Sequence, residues 1–237
     1  MITIGILGAM IEEVQSIKNH MTEVKTRTLG GRDYYTGKLY GVDTVLAFSR
    51  WGKVASSSTV TTLINVFGAT TIIFTGVAGA VASELNIGDI VVSDGLYQHD
   101  MDARPIFPRH HIPLTDTVIF RPEKTWVEKA KLSAEDFVAH IDQFISKKTL
   151  EKFSVKNPKV YVGIIASGDQ FISNAQTHDA LQFEGEKVMA VEMEGAAVAH
   201  VCQEHGVPYI VIRTISDKAD HSASVDFRSF VQEIAPH

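Results

Sequence analysis

The hydrophobic and polar positions of the chain alternate between short apolar runs and longer segments with helical features. The apolar runs are rich in Val and Ile, which is typical of strands buried on both faces of a sheet. They occupy residues 2–7, 71–75, 88–94, 160–166, 188–192 and 208–217. Helices are expected at residues 11–17, 52–67 and 194–205. Strands that alternate with helices indicate an α/β protein whose sheet is covered on both faces.

Some segments depart from this alternation. Residues 25–48 contain β-rich runs separated by glycine turn signals, which predict two or three antiparallel strands. The small residues at 76–80 are expected to form a loop after a strand, and residues 99–113, which contain three prolines, are expected to form another. One or two helices are expected within residues 122–150. The predicted sheet is therefore mixed rather than purely parallel.

The composition fits one globular domain over residues 1–237. Hydrophobic residues make up 45% and charged residues 21%, and we find no linker, repeat or low-complexity segment. The net charge of −6 and the absence of a basic stripe argue against a nucleic-acid partner. Cys202 is the only cysteine, which excludes an internal disulfide. With no secretory signal pattern and no sufficiently long apolar run, we expect a cytoplasmic protein without a membrane partner.

Polar and glycine residues collect where the predicted strands end. In open α/β sheets, ligands bind at the carboxyl ends of the strands. The strand ends that carry glycine, carboxylate, serine or arginine are residues 8–13, 76–80, 167–172, 192–194 and 213–217. This pattern predicts a small-molecule site at that edge of the sheet.

The acidic residues at these ends admit more than one interpretation. Glu192 and Glu194 interrupt an apolar stretch, and burying an ionised carboxylate costs several kcal/mol unless a partner or a ligand compensates it. Glu194 could instead cap its own helix, as Asp217 could cap a later segment. Glu13, like its neighbour Glu12, lies in a first helical turn, where the helix dipole favours carboxylates in any case.

Several catalytic and binding motifs are missing from the sequence. The first glycine-rich turn lacks the spacing of a dinucleotide site, and Gly52-Lys53 lacks the remainder of a phosphate-binding loop. There is no Gly-x-Ser-x-Gly and no His-Glu-x-x-His. The residues around His99 and His110 are better explained as polar loop residues than as metal ligands. We therefore predict no metal site.

Taken together, the motifs at the strand ends resemble those of a known family. In chain order, they are Gly8-Ala-Met-Ile-Glu-Glu13, Gly52-Lys-Val54, Thr75-Gly-Val-Ala-Gly79, Gly88-Asp-Ile-Val-Val-Ser93, Ser167-Gly-Asp-Gln-Phe-Ile172, Ala190-Val-Glu-Met-Glu194 and Arg213-Thr-Ile-Ser-Asp217-Lys-Ala-Asp220. Each motif is modest, but seven in this order closely resemble the bacterial 5′-methylthioadenosine/S-adenosylhomocysteine nucleosidases of the purine nucleoside phosphorylase superfamily.

The resemblance implies a three-layer αβα fold around a mixed, partly barrel-like sheet, and a homodimer. It implies hydrolysis of the N-glycosidic bond of 5′-methylthioadenosine and S-adenosylhomocysteine, and also of 5′-deoxyadenosine. The products would be adenine and the thioribose compound, in methionine salvage and the recycling of S-adenosylmethionine by-products. No metal or organic cofactor is implied.

The same resemblance assigns roles to residues. Asp217 would protonate adenine N7 and Glu13 would activate the attacking water, with Arg213 helping to hold the Glu13 carboxylate or the water. Glu194 would anchor the ribose hydroxyls, with Met193 beneath the ring. The role of Glu192 stays open between structure and site.

Further residues of the implied site bind the base and the 5′ group. Adenine would be bound near Phe171 and Ile172. The apolar 5′ pocket would include Met10, Trp51 and Phe227, completed by residues 101–107 of a second subunit. Val77, Gly79 and Ser216 would also contact substrate. Two departures stand out: Arg50 and Trp51 replace smaller residues, and Val77 replaces a serine that some members have near the water.

Three alternatives remain open. A nucleoside phosphorylase would need basic groups for phosphate, whereas the first loop offers Glu12 and Glu13. A nucleoside-binding protein without catalysis would not need both Glu13 and Asp217. Some relatives also cleave 6-amino-6-deoxyfutalosine, and the sequence does not distinguish this substrate from the others.

Overall fold

The computed structural model describes residues 2–173, 181, 185–219 and 230–234 of the chain. In this part of the chain, strands and helices alternate as an α/β protein. The strands are β1 (Ile4–Gly8), β2 (Met21–Leu29), β3 (Arg32–Leu39), β4 (Val42–Phe48), β5 (Thr71–Ala80), β6 (Ile90–Gln98), β7 (Val160–Ser167), β8 (Val188–Glu192) and β9 (Tyr209–Asp217). The helices are α1 (Ile11–His20), α2 (Lys53–Asn65), α3 (Lys124–Ala139), α4 (Lys147–Lys152) and α5 (Gly195–Glu204).

All of these strands belong to one mixed sheet. The order is β2-β3-β4-β1-β5-β8-β7-β6-β9, and an additional pairing joins β5 to β9. This pairing is parallel and runs from Ile72 to Gly79 on β5, so that the last five strands close into a barrel. At the other end, β2, β3 and β4 are antiparallel, as the turn signals predicted. The mixed, partly barrel-like sheet is confirmed.

Helices cover the sheet on both faces. On one face, α2 and α5 pack together against the sheet, and Leu63 and Val198 lie in a core that includes Phe74 of β5. On another, Ala130 and Ala134 of α3 pack against strands β6 and β9. These two cores define the three expected layers. No helix in the described ranges is both long and apolar enough to span a bilayer.

The expected loop at residues 76–80 is wrong, because β5 continues through these residues to Ala80. Gly79 pairs with Val191 of β8 and with Asp217 of β9, so the backbone of the segment has partners on both sides. Small residues were interpreted as a turn signal, but here they make room for neighbouring side chains. In contrast, residues 99–113 form neither helix nor strand, as expected.

Candidate active site

The carboxyl ends of β1, β5, β8 and β9 surround one cavity. Its empty volume, counted to the open mouth, is about 540 Å³. The described lining residues are Ala9, Met10, Glu13, Trp51, Val77, Ala78, Gly79, Gln170, Phe171, Ile172, Val191, Glu192, Met193, Glu194, Ser216 and Asp217. Four of these residues are acidic, and none of those described is Lys, Arg or His. The cavity therefore combines carboxylates with apolar walls.

Glu13 reaches this cavity from the first turn of α1. Its side chain is buried, whereas Glu12 is only half-buried. Glu13 Oε2 accepts the Met10 N–H at 2.9 Å, and Oε1 accepts the Val77 N–H at 3.1 Å. Burial raises the pKa of Glu13, while the Arg213 charge and the backbone N–H groups oppose that rise. The carboxylate is thus fixed between the first loop and β5.

Gly76 allows Glu13 to approach β5 this closely. A Cβ at Gly76 would lie 2.6 Å from Glu13 Oε1 and 3.2 Å from Arg213 Nη1. Its φ of 155° also lies in a region that residues with side chains rarely adopt. The glycine predicted as a loop residue is therefore a requirement of the site.

Asp217 lies at the end of β9 and is buried. Its Oδ1 accepts the Ala219 N–H and its Oδ2 accepts the Ser216 hydroxyl, both at 2.8 Å. A Cβ at Gly79 would lie 2.9 Å from Asp217 Oδ1, so this carboxylate also packs directly on β5. Since β5 rises about 3.3 Å per residue, Glu13 and Asp217 contact it about 10 Å apart. The two carboxylates contact β5 at separate points of the same cavity.

Glu194 lies between β8 and α5, where it lines the cavity. Its Oε1 accepts the Gly52 N–H at 2.7 Å, and the residue is only 5% exposed. Burial, together with the nearby Glu192 charge, raises the pKa of Glu194 to about 8. Although Glu194 is the N-cap residue of α5, its side chain makes no capping bond. The capping interpretation of Glu194 is wrong.

Glu192 provides the cap instead. Its carboxylate accepts the Glu194 N–H at 3.1 Å and the Gly195 N–H at 2.8 Å, and the Ser167 hydroxyl also donates to it. The Ser167 oxygen in turn accepts the Ala196 N–H at 2.7 Å. Carboxylates are favoured at helix N-termini because the N–H groups there lack partners. The structure thus places Glu192 in the support of the site, a role that its position before a helix could have signalled.

Arg213 pairs with this same carboxylate. Its Nη2 lies 2.6 Å from Glu192 Oε2, and its guanidinium lies 3.9 Å from the centre of the Phe74 ring. The side chain is only 1% exposed. The sequence interpretation linked Arg213 to Glu13 or the water, whereas its guanidinium donates hydrogen bonds to the Glu192 carboxylate and to the Ile212 carbonyl. Its influence on Glu13 is electrostatic.

Apolar and aromatic residues form the remaining wall. Met10, Trp51, Phe171, Ile172 and Met193 all line the cavity, as the sequence interpretation placed them. Trp51 and Phe171 are 53% and 41% exposed, which puts them at its open side. The described lining also includes Ala9, Gln170 and Val191, which sequence reasoning did not single out because they carry no distinctive chemistry.

The other expected contributors lie elsewhere. Phe227 is outside the described residues, so its place is not assigned. Residues 101–107 do not line the cavity of their own chain, and Ile106 is 82% exposed. His99 packs against Gly168 and does not line this cavity, and the described ranges contain no group of three His, Cys, Asp or Glu residues suited to a metal ion.

Known proteins resemble this chain in sequence and in structure. The family model described as Phosphorylase superfamily matches residues 3–236. A 5′-methylthioadenosine/S-adenosylhomocysteine nucleosidase of Staphylococcus aureus is 34% identical over 233 residues, which cover 98% of this chain and 93% of the relative.

Two solved structures from Helicobacter pylori are also similar. One is a 5′-methylthioadenosine/S-adenosylhomocysteine nucleosidase with butyl-thio-DADMe-Immucillin-A, at a TM-score of 0.83 and 35% identity, covering 100% of this chain and 94% of that one. The other is a native futalosine hydrolase, at a TM-score of 0.81 and 34% identity, covering 99% and 93%.

Proposed function

The chain belongs to the phosphorylase superfamily and, within it, to the 5′-methylthioadenosine/S-adenosylhomocysteine nucleosidases, and on this premise we propose that it hydrolyses 5′-thio-substituted adenosines. Its enzyme class is that of an N-glycosidase. The proposed substrates are 5′-methylthioadenosine and S-adenosylhomocysteine, with 5′-deoxyadenosine as a further one. The observation that carries this proposal is a cavity in which buried carboxylates face apolar and aromatic walls.

The charges that develop during the reaction explain why two carboxylates are needed. Breaking the bond between adenine and ribose puts positive charge on the sugar and negative charge on the purine, as in other glycoside hydrolyses. Asp217 is the proposed acid, which gives a proton to adenine N7 as the bond breaks. Glu13 is the proposed base, which takes a proton from the water that attacks the sugar. Their separate points of contact on β5 support a division of these roles.

Ribose recognition falls to Glu194. A carboxylate accepts hydrogen bonds from two neighbouring hydroxyls, and the described protein contacts give the Glu194 carboxylate one hydrogen bond, from the Gly52 N–H. The Gly52 N–H holds one oxygen of Glu194 in place, which fixes the direction of the side chain. Met193, the adjacent residue, supplies an apolar surface beneath the sugar.

The adenine and 5′ portions bind to the remaining wall. Phe171 provides a stacking surface for the base, and Ile172 lies beside it. Val77, Gly79 and Ser216 border the space between base and sugar. Met10 and Trp51 would bury the thioether substituent, together with Phe227, at about 0.8 kcal/mol per buried CH₂ group.

Water is a better nucleophile for this cavity than phosphate. A phosphate dianion requires cationic groups or several helix N–H groups. The Arg213 guanidinium is bonded to Glu192, and the described lining residues add no Lys, Arg or His. The other acidic residues of the cavity, Glu13, Glu194 and Asp217, offer the dianion no positive charge. This charge distribution favours hydrolysis over phosphorolysis.

The proposal extends to assembly and cellular role. The proposed state is a homodimer in the cytoplasm, in which residues 101–107 of each subunit complete the partner's 5′ pocket. The reaction would serve methionine salvage and the recycling of S-adenosylmethionine by-products. It requires no metal or organic cofactor, because all proton transfers are assigned to side chains.

A second substrate class is supported by one of the relatives. The Helicobacter pylori futalosine hydrolase is as similar to this chain as the nucleosidases are. Trp51 adds an aromatic surface at the open side of the cavity, which would suit a bulkier 5′ substituent. Futalosine-type nucleosides are therefore the second candidate.

Adenine release in phosphate-free buffer tests the main proposal. The protein should release adenine from 5′-methylthioadenosine at a rate that added phosphate does not change. Asp217→Asn should lower kcat at least a hundredfold while retaining nucleoside binding, because only the proton donor is lost. Strict dependence on phosphate would refute hydrolysis. The kcat/KM values for methylthioadenosine, adenosylhomocysteine, deoxyadenosine and aminofutalosine would then rank the substrate classes.

A further inference from the structure

In the motif Gly52-Lys53-Val54, Gly52 holds Glu194, but Lys53 has no role in the site described so far, although it lies beside that site. Lys53 is the first residue of α2 and directly follows Gly52, whose N–H holds Glu194. Its side chain is 17% exposed, so a charged group is largely withdrawn from water at the edge of the cavity. An ammonium group that is shielded from water needs hydrogen-bond or ion-pair partners to offset its lost hydration.

Those partners come from two loops at the same edge. Lys53 Nζ lies 2.6 Å from Asp100 Oδ1 and 3.2 Å from Gln98 Oε1, both at the end of β6. It lies 3.9 Å from Asp169 Oδ2, in the loop after β7. The backbone N–H of Lys53 also donates to Asp169 Oδ1 at 2.8 Å. One residue thus joins the start of α2 to both loops.

The Asp100 carboxylate also contacts the backbone of Asp169. The Asp169 N–H donates to Asp100 Oδ2 at 2.9 Å. Burial acts to raise the pKa of Asp100, but the hydrogen bonds from Lys53 and Asp169 hold it below its usual value. Lys53, Asp100 and Asp169 therefore form a closed cluster, in which the ammonium contacts both carboxylates.

The cluster lies directly before the segment that lines the cavity. Gln170, Phe171 and Ile172 follow Asp169 without a break, and all three line the cavity. We propose that the Lys53–Asp100–Asp169 cluster is a positioning device for nucleoside binding, which holds residues 170–172 against the base. This inference rests on the proposed function, because that function assigns the base to Phe171 and Ile172.

Removing the ammonium should displace this segment without removing any group that touches the substrate. In Lys53→Met, Asp100 and Asp169 would face each other with no cation between them, and their repulsion would move residues 170–172 outward. We expect KM for methylthioadenosine and the inhibition constant of adenine to rise together, each about tenfold. The value of kcat should stay within about threefold, because Glu13, Asp217 and Glu194 are untouched.

A second substitution that removes one of the two carboxylates distinguishes a role in positioning residues 170–172 from a general structural effect of Lys53→Met. Lys53→Met/Asp100→Asn removes the repulsion and keeps an acceptor for the Asp169 N–H, so its KM should return toward that of the unmodified protein. Lys53→Arg keeps the cation and should stay within about threefold. Lys38→Met is the matched control, since Lys38 forms a 2.7 Å pair with Asp43 on the β3–β4 hairpin, and it should change neither constant.

Several outcomes would overturn the proposal. An unchanged adenine inhibition constant in Lys53→Met, or a fall in kcat at constant KM, would show that Lys53 does not position the base-binding segment. A double variant no better than Lys53→Met would exclude carboxylate repulsion. If Lys53→Met does not fold, Lys53→Gln removes the same charge with a polar side chain, and it should show the same joint rise in KM and in the adenine inhibition constant. Failure of the unmodified protein to release adenine from any nucleoside would instead refute the proposed function.

Discussion

The four carboxylates of the cavity differ in how completely the protein compensates them. Glu192 receives the Arg213 guanidinium, the Ser167 hydroxyl and two backbone N–H groups. Glu194 receives the Gly52 N–H, and burial raises its pKa. A buried carboxylate is stable only when hydrogen bonds or an ion pair compensate its charge, or when it keeps its proton. The carboxylates with fewer protein partners are therefore the ones suited to bind a ligand.

Glu13 should be essential for the chemical step, and Glu12 should not. Glu13→Gln keeps an acceptor for only one of the Met10 and Val77 N–H groups, which bond to different Glu13 oxygens, and it cannot take a proton from water. We expect kcat to fall at least a hundredfold with KM nearly unchanged. Glu12→Gln is the matched control, because Glu12 is half-buried and does not line the cavity. A damaging Glu12 variant beside an active Glu13 variant would contradict the assignment in steady-state kinetics.

Glu194 should make the stability of the ligand-free protein depend on pH. Its pKa rises from the ordinary value of 4.5 to about 8 on folding, so between these pH values the folded state holds a proton that the unfolded state has lost. Raising the pH therefore destabilises the fold, by about 1.4 kcal/mol per pH unit for this group.

Glu194→Gln carries no such proton, and its amide oxygen can still accept the Gly52 N–H. The variant should gain stability relative to the unmodified protein as the pH rises from 5 to 8. Urea unfolding at pH 5, 6.5 and 8 measures this difference. Parallel pH dependences for the two proteins would show that Glu194 ionises normally.

For individual residues, the sequence predicted which side chains lie in the cavity, but it did not predict which side chains form hydrogen bonds or ion pairs with each other. Glu13, Glu194 and Asp217 were placed at one edge because strand ends meet there, and all three line the cavity. The partner of Arg213 could not be predicted, because Glu192 and Glu13 are both acidic and only the folded backbone decides which of them the guanidinium reaches.

Two elements are shaped by the carboxylates beside them. Strand β5 carries Gly76 and Gly79 where Glu13 and Asp217 pack against its backbone. Helix α5 begins at a carboxylate from the preceding strand and a hydroxyl from β7. In both arrangements, the residues that hold the carboxylates of the site also form the end of a strand or the start of a helix.

Ser167→Ala should destabilise the start of α5. The substitution removes a donor to Glu192 and leaves the buried Ala196 N–H without its acceptor. We expect a loss of about 1–3 kcal/mol in the free energy of unfolding. Ser58→Ala, at an exposed position of α2, should change it by less than about 0.5 kcal/mol. Chemical denaturation of both variants at pH 7 provides the comparison, and equal losses would argue against a special role for Ser167.

Element types were predictable where periodicity and end signals agreed. The three antiparallel strands β2–β4 and helices α1, α2 and α5 match their expected segments within a few residues. The end of β5 was missed, because a run of Gly and Ala is the usual signal of a turn. Only the pairing with β8 and β9, which is remote in sequence, shows that it is a strand.

At the scale of the whole molecule, large apolar side chains remain exposed around the cavity and the loop after β6. Val54, Ile106 and Leu114 are 82%, 82% and 90% exposed, and Trp51 and Phe171 lie at the cavity's open side. A contiguous apolar surface is typical of a site that another protein covers, whereas single exposed apolar side chains are common. Among these residues, Ile106 lies within residues 101–107 and is exposed enough to reach a partner subunit, as the proposed homodimer requires.

Ile106→Asp should weaken this dimer, because a carboxylate would be buried without a partner at the interface. Sedimentation velocity should show a shift toward monomer. KM for methylthioadenosine should rise while the inhibition constant of adenine stays the same, since only the 5′ pocket loses a wall. Leu132→Asp, at a 65% exposed position on α3, is the control and should leave assembly intact. A monomeric unmodified protein with full activity would exclude the shared pocket.

The proton retained by Glu194 has a consequence for substrate affinity. With a pKa near 8, the free protein at neutral pH carries this residue mostly in its acid form. If the ribose hydroxyls donate to the carboxylate, each binding event must discharge that proton into the buffer. Nucleoside binding then releases one proton from Glu194, and the apparent affinity for the nucleoside increases as the pH rises.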